Sequence, residues 1–160
     1  MRDSEVHSAV VRWLASITDV TVIKTHESGP VPANPYLAVN LLTTAEVREN
    51  PQFDAFTEDG DDVTAAPQIE TEWRFSLHAY GPAPSDILRP IRAAAHLAQK
   101  NEPLMPGLVV HETSMIRNVP DWINNAWRPR AQMDLAVRGI VADGFVVDVI
   151  ETYSFAFERT

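Results

Sequence analysis

From Gln68 to Tyr80 the chain alternates without a break, with Ile69, Thr71, Trp73, Phe75, Leu77 and Ala79 on one phase and Gln68, Glu70, Glu72, Arg74, Ser76 and His78 on the other. A period of two belongs to a strand, whose successive side chains point to opposite faces, so one face here is core and the other polar. The same pattern returns near the end of the chain. Ala131, Met133, Leu135, Val137 and Val141 alternate with Arg130, Gln132, Asp134 and Arg138, predicting a second long strand. Val6, Val10, Trp13, Leu14 and Ile17 instead recur three or four residues apart after the polar start Asp3-Ser4-Glu5. That spacing predicts an amphipathic helix over about 4–17 whose apolar stripe covers a sheet.

Shorter apolar runs predict strands at Val20 to His26, Tyr36 to Thr43 and about 108–116. Three prolines between Gly29 and Pro35 exclude helix and central strand from that loop. After Gly81-Pro82-Ala83-Pro84, Ser85 or Asp86 can cap a second helix running to about Lys100 and packing Leu88, Ile91, Ala95 and Leu97; Pro90 then belongs in or near its first turn. Asp143-Gly144 reads as a turn into a last strand at 145–157. A two-residue turn would set Arg138 opposite Val149 and Gln132 opposite Phe155. A three-residue turn sets Val137 opposite Val149, Met133 opposite Tyr153 and Ala131 opposite Phe155, which unites the apolar faces. The prediction is therefore a three-residue hairpin with Gly144 left-handed in a bulge. Helix, strands, helix, strands make an α+β domain over residues 1–160: a mixed, mostly antiparallel β-sheet with two α-helices packed on one face.

Residues 44–67 break this pattern. Glu46, Glu49, Asp54, Glu58, Asp59, Asp61 and Asp62 against Arg48 alone place −6 of the formal charge of −9 between residues 46 and 62. Phe53, Phe56 and Val63 are the only anchors available to what reads as a long acidic loop or extended hairpin tip. Such a segment is either a solvated excursion or one that orders against a neighbouring subunit or partner.

Composition narrows the function. At 160 residues, 45% of them hydrophobic, the chain is long enough to bury roughly 68–70% of its extended surface. With no cysteine there is neither disulfide nor thiolate chemistry. The start of the chain, with Arg2, Asp3, Glu5 and Arg12, lacks a secretory apolar core, and no run approaches the ~18 apolar residues of a membrane span. The negative charge opposes binding to phosphate backbones, so duplex DNA is not expected as a gripped partner.

Catalytic motifs fail on inspection. His111-Glu112-Thr113-Ser114-Met115 starts like a zinc-protease helix, but its fifth residue is Met and it lies in a predicted strand. Setting Gly60 as the glycine of a calcium loop puts Ala55 and Ala66 at the first and last ligand positions, which excludes an EF-hand. No nucleophile elbow, phosphate loop or dinucleotide fingerprint occurs, and His7, His26, His78 and His96 are scattered. No catalytic, metal or cofactor residue is assigned, and no cofactor is expected.

Between Asn118 and Arg130 lie Trp122, Trp127, Asn124, Asn125, Arg128 and Arg130, with Val119-Pro120-Asp121 able to open a short helical turn. Tryptophan and arginine anchor interfaces because each joins large contact area to directional hydrogen bonding. Trp122 and Ile123 could equally plug the end of the sheet, with Asn124 and Asn125 satisfying a buried turn.

The stretch from Ile116 to Gly139, IRNVPDWINNAWRPRAQMDLAVRG, couples this connector to the alternating strand. It resembles the signature segment of bacteriophage neck or tail terminator proteins, and the resemblance extends over roughly residues 108–142. It implies a structural protein of the virion, assembled in the host cytoplasm, that forms a homo-oligomeric ring, a hexamer, capping the tail tube and joining it to the head-neck connector. Implied partners are other copies of the chain, the tail tube protein, the tail sheath and neck or head-completion proteins, with DNA passing through without specific binding and no membrane. Arg117, Asn118, Trp122, Trp127, Arg128, Arg130 and Arg138 are the candidate interface, with the arginines as cross-subunit partners of carboxylates. Glu46, Glu49, Asp54, Glu58, Asp59, Asp61 and Asp62 are candidates to face the lumen or a partner. The rival readings are another head-tail connector or completion protein and a small metal-dependent hydrolase.

Overall fold

The computed structural model of the protein describes residues 1–26, 29–60 and 62–148. Helix α1 spans Asp3–Ile17 and buries Val6, Val10, Trp13 and Leu14, the predicted stripe. Its start is held by two acids: the Glu5 carboxylate accepts the Arg2 backbone N–H at 2.7 Å, and Asp3 accepts the indole N–H of Trp73 at 2.8 Å. The Trp13 indole donates to the Lys100 carbonyl at 2.8 Å. Both buried tryptophans therefore satisfy the one polar atom that burial would otherwise strand.

Strands β1 (Thr21–Lys24), β2 (Tyr36–Glu46), β3 (Phe53–Asp59) and β4 (Asp62–Tyr80) follow, then α2 (Pro84–Ala95), α3 (Ala98–Asn101) and a 3₁₀ turn at Glu102–Leu104. The second half holds β5 (Leu108–Thr113), β6 (Arg117–Asn118), β7 (Asp121–Ile123), β8 (Ala126–Arg128), β9 (Arg130–Ala142) and β10 (Phe145–Val147). The main sheet runs β1-β2-β4-β9-β5, with β3 and β10 on β4 and β6 on β9. Only β1–β2 is parallel among the described pairs. This is the expected mixed α+β sheet. Trp73, Phe75, Leu77 and Ala79 of β4 and Ala131, Met133, Leu135 and Val137 of β9 pack against Leu88 and Ile91 of α2 and the stripe of α1. The even-numbered residues of both strands form the polar face.

The second helix departs from the prediction. It begins at Pro84, ends at Ala95, and is followed by a separate short turn, α3, so Leu97 is exposed instead of packed. Pro90 lies in the helix interior. It is exposed, so its ring lies on the solvent side of the helix, away from the core.

The end of the chain departs further. β10 pairs with β4, not β9. Ala142 faces Gln68 and Phe145 faces Ala65, so β9 and β10 keep one register along β4, broken only where Asp143 and Gly144 pass Pro67, which has no N–H to offer the ladder. Gly144 is not left-handed; among the described glycines only Gly60 and Gly81 have positive φ. The predicted hairpin fails because both edges of β9 are taken, by β4 on one side and by β5 and β6 on the other. The expected partners Val149, Tyr153 and Phe155 lie outside the described residues.

The 44–67 segment is an extended hairpin. β2 continues to Glu46, a bulge at Val47–Gln52 returns hydrogen bonds to β4, and β3 then follows β4 to a tip where Gly60 is left-handed (φ 66°). β4, at 19 residues, is about 60 Å long at ~3.3 Å per residue. Its first half, with β3 and β10, forms an arm beyond the helix-covered core. Phe53 and Phe56, expected to anchor this segment, are exposed, and Val63 is half-buried.

Candidate functional site

The connector folds as a second, two-stranded sheet. β7 and β8 pair around Asn124 and Asn125, both left-handed (φ 52° and 58°), which is the backbone of the tight turn that matches strand twist and tolerates asparagine. The helical turn at Val119-Pro120-Asp121 does not form: Asp121 opens β7 instead. Trp122 and Trp127 stand directly opposite each other, ring centroids 5.0 Å apart and edge to face at 66°. They are 57% and 67% exposed, and Ile123 is exposed beside them, so this hairpin plugs nothing.

Beneath it, Arg128 lies over the ring of Tyr80 (4.8 Å) and of Tyr36 (5.8 Å) and donates to the Tyr36 hydroxyl at 3.0 Å. The two tyrosines stack at 4.8 Å. Arg128 makes no ion pair among the described residues, so its charge is balanced only by aromatic faces and solvent. Arg130 bonds Asp121 at 3.1 Å and the Val119 carbonyl at 3.1 Å; Arg117 bonds Asp134 at 3.1 Å; Asn118 accepts the Ser85 hydroxyl at 2.6 Å. Arg117, Asn118, Arg128 and Arg130 mount the hairpin on the sheet end, and the two tryptophans form its free surface.

Arg138 is elsewhere. It lies eight residues further along β9, on the polar face, bound to Glu72 at 2.9 Å and Glu70 at 3.6 Å. Glu72 also takes Arg74 at 3.0 Å, and these guanidinium bonds, Arg74 first and then Arg138, hold its carboxyl below the usual range against the opposing effect of burial. On the same face His78 is half-buried, with Nε2 3.1 Å from the Ser76 hydroxyl and Nδ1 unpartnered. Burial, followed by the charge of Arg130, pushes its pKa down, with Asp134 and Asp121 opposing.

The acidic candidates are distributed over the arm. Glu46 ends β2, Glu49 is in the bulge, Asp54 and Glu58 share one face of β3, and Asp59 and Asp62 flank the tip; all are exposed. Asp61 lies outside the described residues. The helix-side face of the arm also carries an apolar row, Phe56–Ala65–Phe145, whose phenylalanines are 65% and 67% exposed. At the arm's root, on the polar face, an open cavity of about 550 Å³ is lined by Met1, Gln52, Glu70, Pro106, Gly107, Val109, Val110, His111, Arg138, Gly139 and Ile140. Neither surface was read from the sequence. The signal was present in Ile140, an apolar residue on the phase of Arg138 and Asp134.

No three His, Asp or Glu side chains converge on a metal-binding geometry among the described residues. His111 is the extra residue of a bulge in β5, between Val110 opposite Val137 and Glu112 opposite Ala136.

No curated protein matches the chain. Among solved structures, a sheath/tube terminator of the PVC extracellular contractile injection system, in its extended state, shares the fold with a TM-score of 0.61 at 13% identity. The match covers all of this chain and 64% of the length of that one. The sequence profile of the phage neck terminator proteins matches residues 4–159. The chain belongs to the phage neck terminator protein family, and is a structural component of a bacteriophage tail.

Proposed function

We propose that the chain acts as a single unit that assembles into a homo-oligomeric ring, a hexamer, which caps the tail tube and joins it to the head-neck connector. It works without catalysis or cofactor, through surfaces alone. The observation that carries this reading is the pair of exposed aromatic surfaces at opposite ends of the main sheet, Trp122 with Trp127 on the hairpin mounted at one end and Phe56 with Phe145 at the other. Monomeric proteins seldom leave such side chains clustered and uncovered, and a head-to-tail ring needs two different patches on every protomer. The tube protein is the partner on one side and neck or head-completion proteins on the other. Contact with a sheath is supported by likeness to the sheath/tube terminator of the contractile injection system. An acidic chain suits a ring through which DNA passes without being gripped. Such a ring is assembled in the host cytoplasm and resides at the tail-neck junction of the virion.

The test is electron microscopy and light scattering of the purified protein, alone and with polymerising tube protein. Rings that sit at tube ends and shorten tubes are expected. A monomer at all concentrations that leaves tube length unchanged overturns the reading.

A further inference from the structure

We propose that the Trp122/Trp127 hairpin of one copy seats in the cavity at the arm root of the next copy. This rests on the ring reading above and names the two surfaces that meet. The hairpin is a knob. Its tryptophans are more than half exposed, and neither indole N–H has an acceptor among the described residues, whereas the buried Trp13 and Trp73 both do. An indole at an interface core needs both an apolar wall and an acceptor.

The arm-root cavity offers both. Val109, Ile140 and Pro106 form its apolar wall, and Val109 and Ile140 are themselves large exposed apolar side chains. Glu70 supplies the acceptor: its carboxylate is held only loosely, 3.6 Å from Arg138 and 3.3 Å from the Gln52 amide. At about 550 Å³ the cavity lies in the size range of pockets that take up small ligands, roughly 300–1,000 Å³. Charge favours the same match. Arg117, Arg128 and Arg130 against Asp121 leave the hairpin segment positive, and the sheet face that holds the cavity carries Glu70, Glu72 and Glu112 against Arg74 and Arg138.

Knob and hole lie on one protomer but cannot meet within it. The hairpin leaves the sheet at Arg130, while the cavity lies at residues 138–140 of the same strand, roughly 26–33 Å along β9 at ~3.3 Å per residue. A contact between them is therefore between copies and of the head-to-tail kind. The exposed parts of the two tryptophans can hide ~200–300 Å², about a third of the ~800 Å² that each partner contributes to a stable interface. The exposed face of the arm beside the cavity is available for the rest.

Two variants test this: a knobless protein, Trp122→Ala with Trp127→Ala, and a blocked-hole protein, Val109→Lys with Ile140→Lys. All four positions are exposed, so both proteins should fold, which circular dichroism checks. The wild type is expected to form rings and each variant to remain monomeric, with association at least about 30-fold weaker for each anchoring tryptophan removed. Mixed, the two variants should form a 1:1 dimer and stop there, because only one intact knob meets one intact hole. A ring formed by either variant alone, or a mixture that stays monomeric, overturns the inference. A knobless ring that fails to cap tubes also overturns it and makes the tube protein the hairpin's partner. A wild type that forms no ring overturns the ring reading itself, a result distinct from the others.

Discussion

Trp122 and Trp127 pack edge to face across the Asn124-Asn125 turn while each leaves more than half of its surface to solvent. Trp13 and Trp73 are fully buried. The four tryptophans thus divide evenly between folding and surface. Under conditions where the protein is monomeric, Trp73→Ala is expected to cost ~3–5 kcal/mol, while Trp127→Ala costs no more than the ~0.5–1.5 kcal/mol of an aromatic pair. Urea titration of both variants checks this, and equal losses would contradict the division.

Gly139 faces Thr71 of β4 and Leu108 of β5. A Cβ there would lie 2.5 Å from the Gly107 carbonyl, 3.0 Å from Leu108 and 3.3 Å from the Trp73 ring. A backbone oxygen held in a sheet does not yield as a flexible side chain does. Gly139→Ala should therefore destabilise by ~1–3 kcal/mol, the cost of overpacking. A thermal midpoint equal to that of the wild type would show that β5 shifts freely.

Arg128 holds the hairpin down by lying over Tyr80 and bonding the Tyr36 hydroxyl. Arg128→Leu keeps bulk but removes both contacts, and is expected to cost about 1–2 kcal/mol. Hydrogen exchange at residues 121–128 should quicken more than exchange in β9. A uniform change across the sheet would argue against this local role.

Acid should weaken the fold in two separate windows. His78 has a folded pKa below its ordinary 6.5, so the unfolded chain binds the proton first. Its contribution is complete above that value and is lost as pH falls from it toward the folded pKa. Glu72 is likewise depressed below 4.5, and its contribution is lost further down, as pH falls through its folded pKa. His78→Gln should flatten the first window and leave the second, as read from urea midpoints against pH. An unchanged first window would remove His78 as its cause.

The acidic surface predicts indifference to DNA. At moderate salt the protein should not retard duplex DNA in a gel, and salt-sensitive micromolar binding would count against a passive channel.

Much of the fold was legible in the alternation of Gln68–Tyr80 and Ala131–Val141 and in the stripe of α1, because a buried face imposes a period of two or 3.6 on its own residues. Even the face on which β4 and β9 meet the helices follows from those phases. The family was legible through the Ile116–Gly139 resemblance. What a strand's period leaves open is its neighbour. Phe145 and Val146 have the composition of a core strand, yet they lie exposed on the arm because β5 and β6 already occupy the edge of β9 that a hairpin would need. Trp122 and Ile123 likewise have the composition of a plug, and their exposure follows from a turn that closes Asp121–Arg128 on itself. The cavity at the arm root needed three strands and the bulge at Val47–Gln52 to come together from distant parts of the chain. Local sequence determined which residues form elements and which face is apolar. Competition for strand edges, a property of the whole sheet, decided which apolar residues were left exposed.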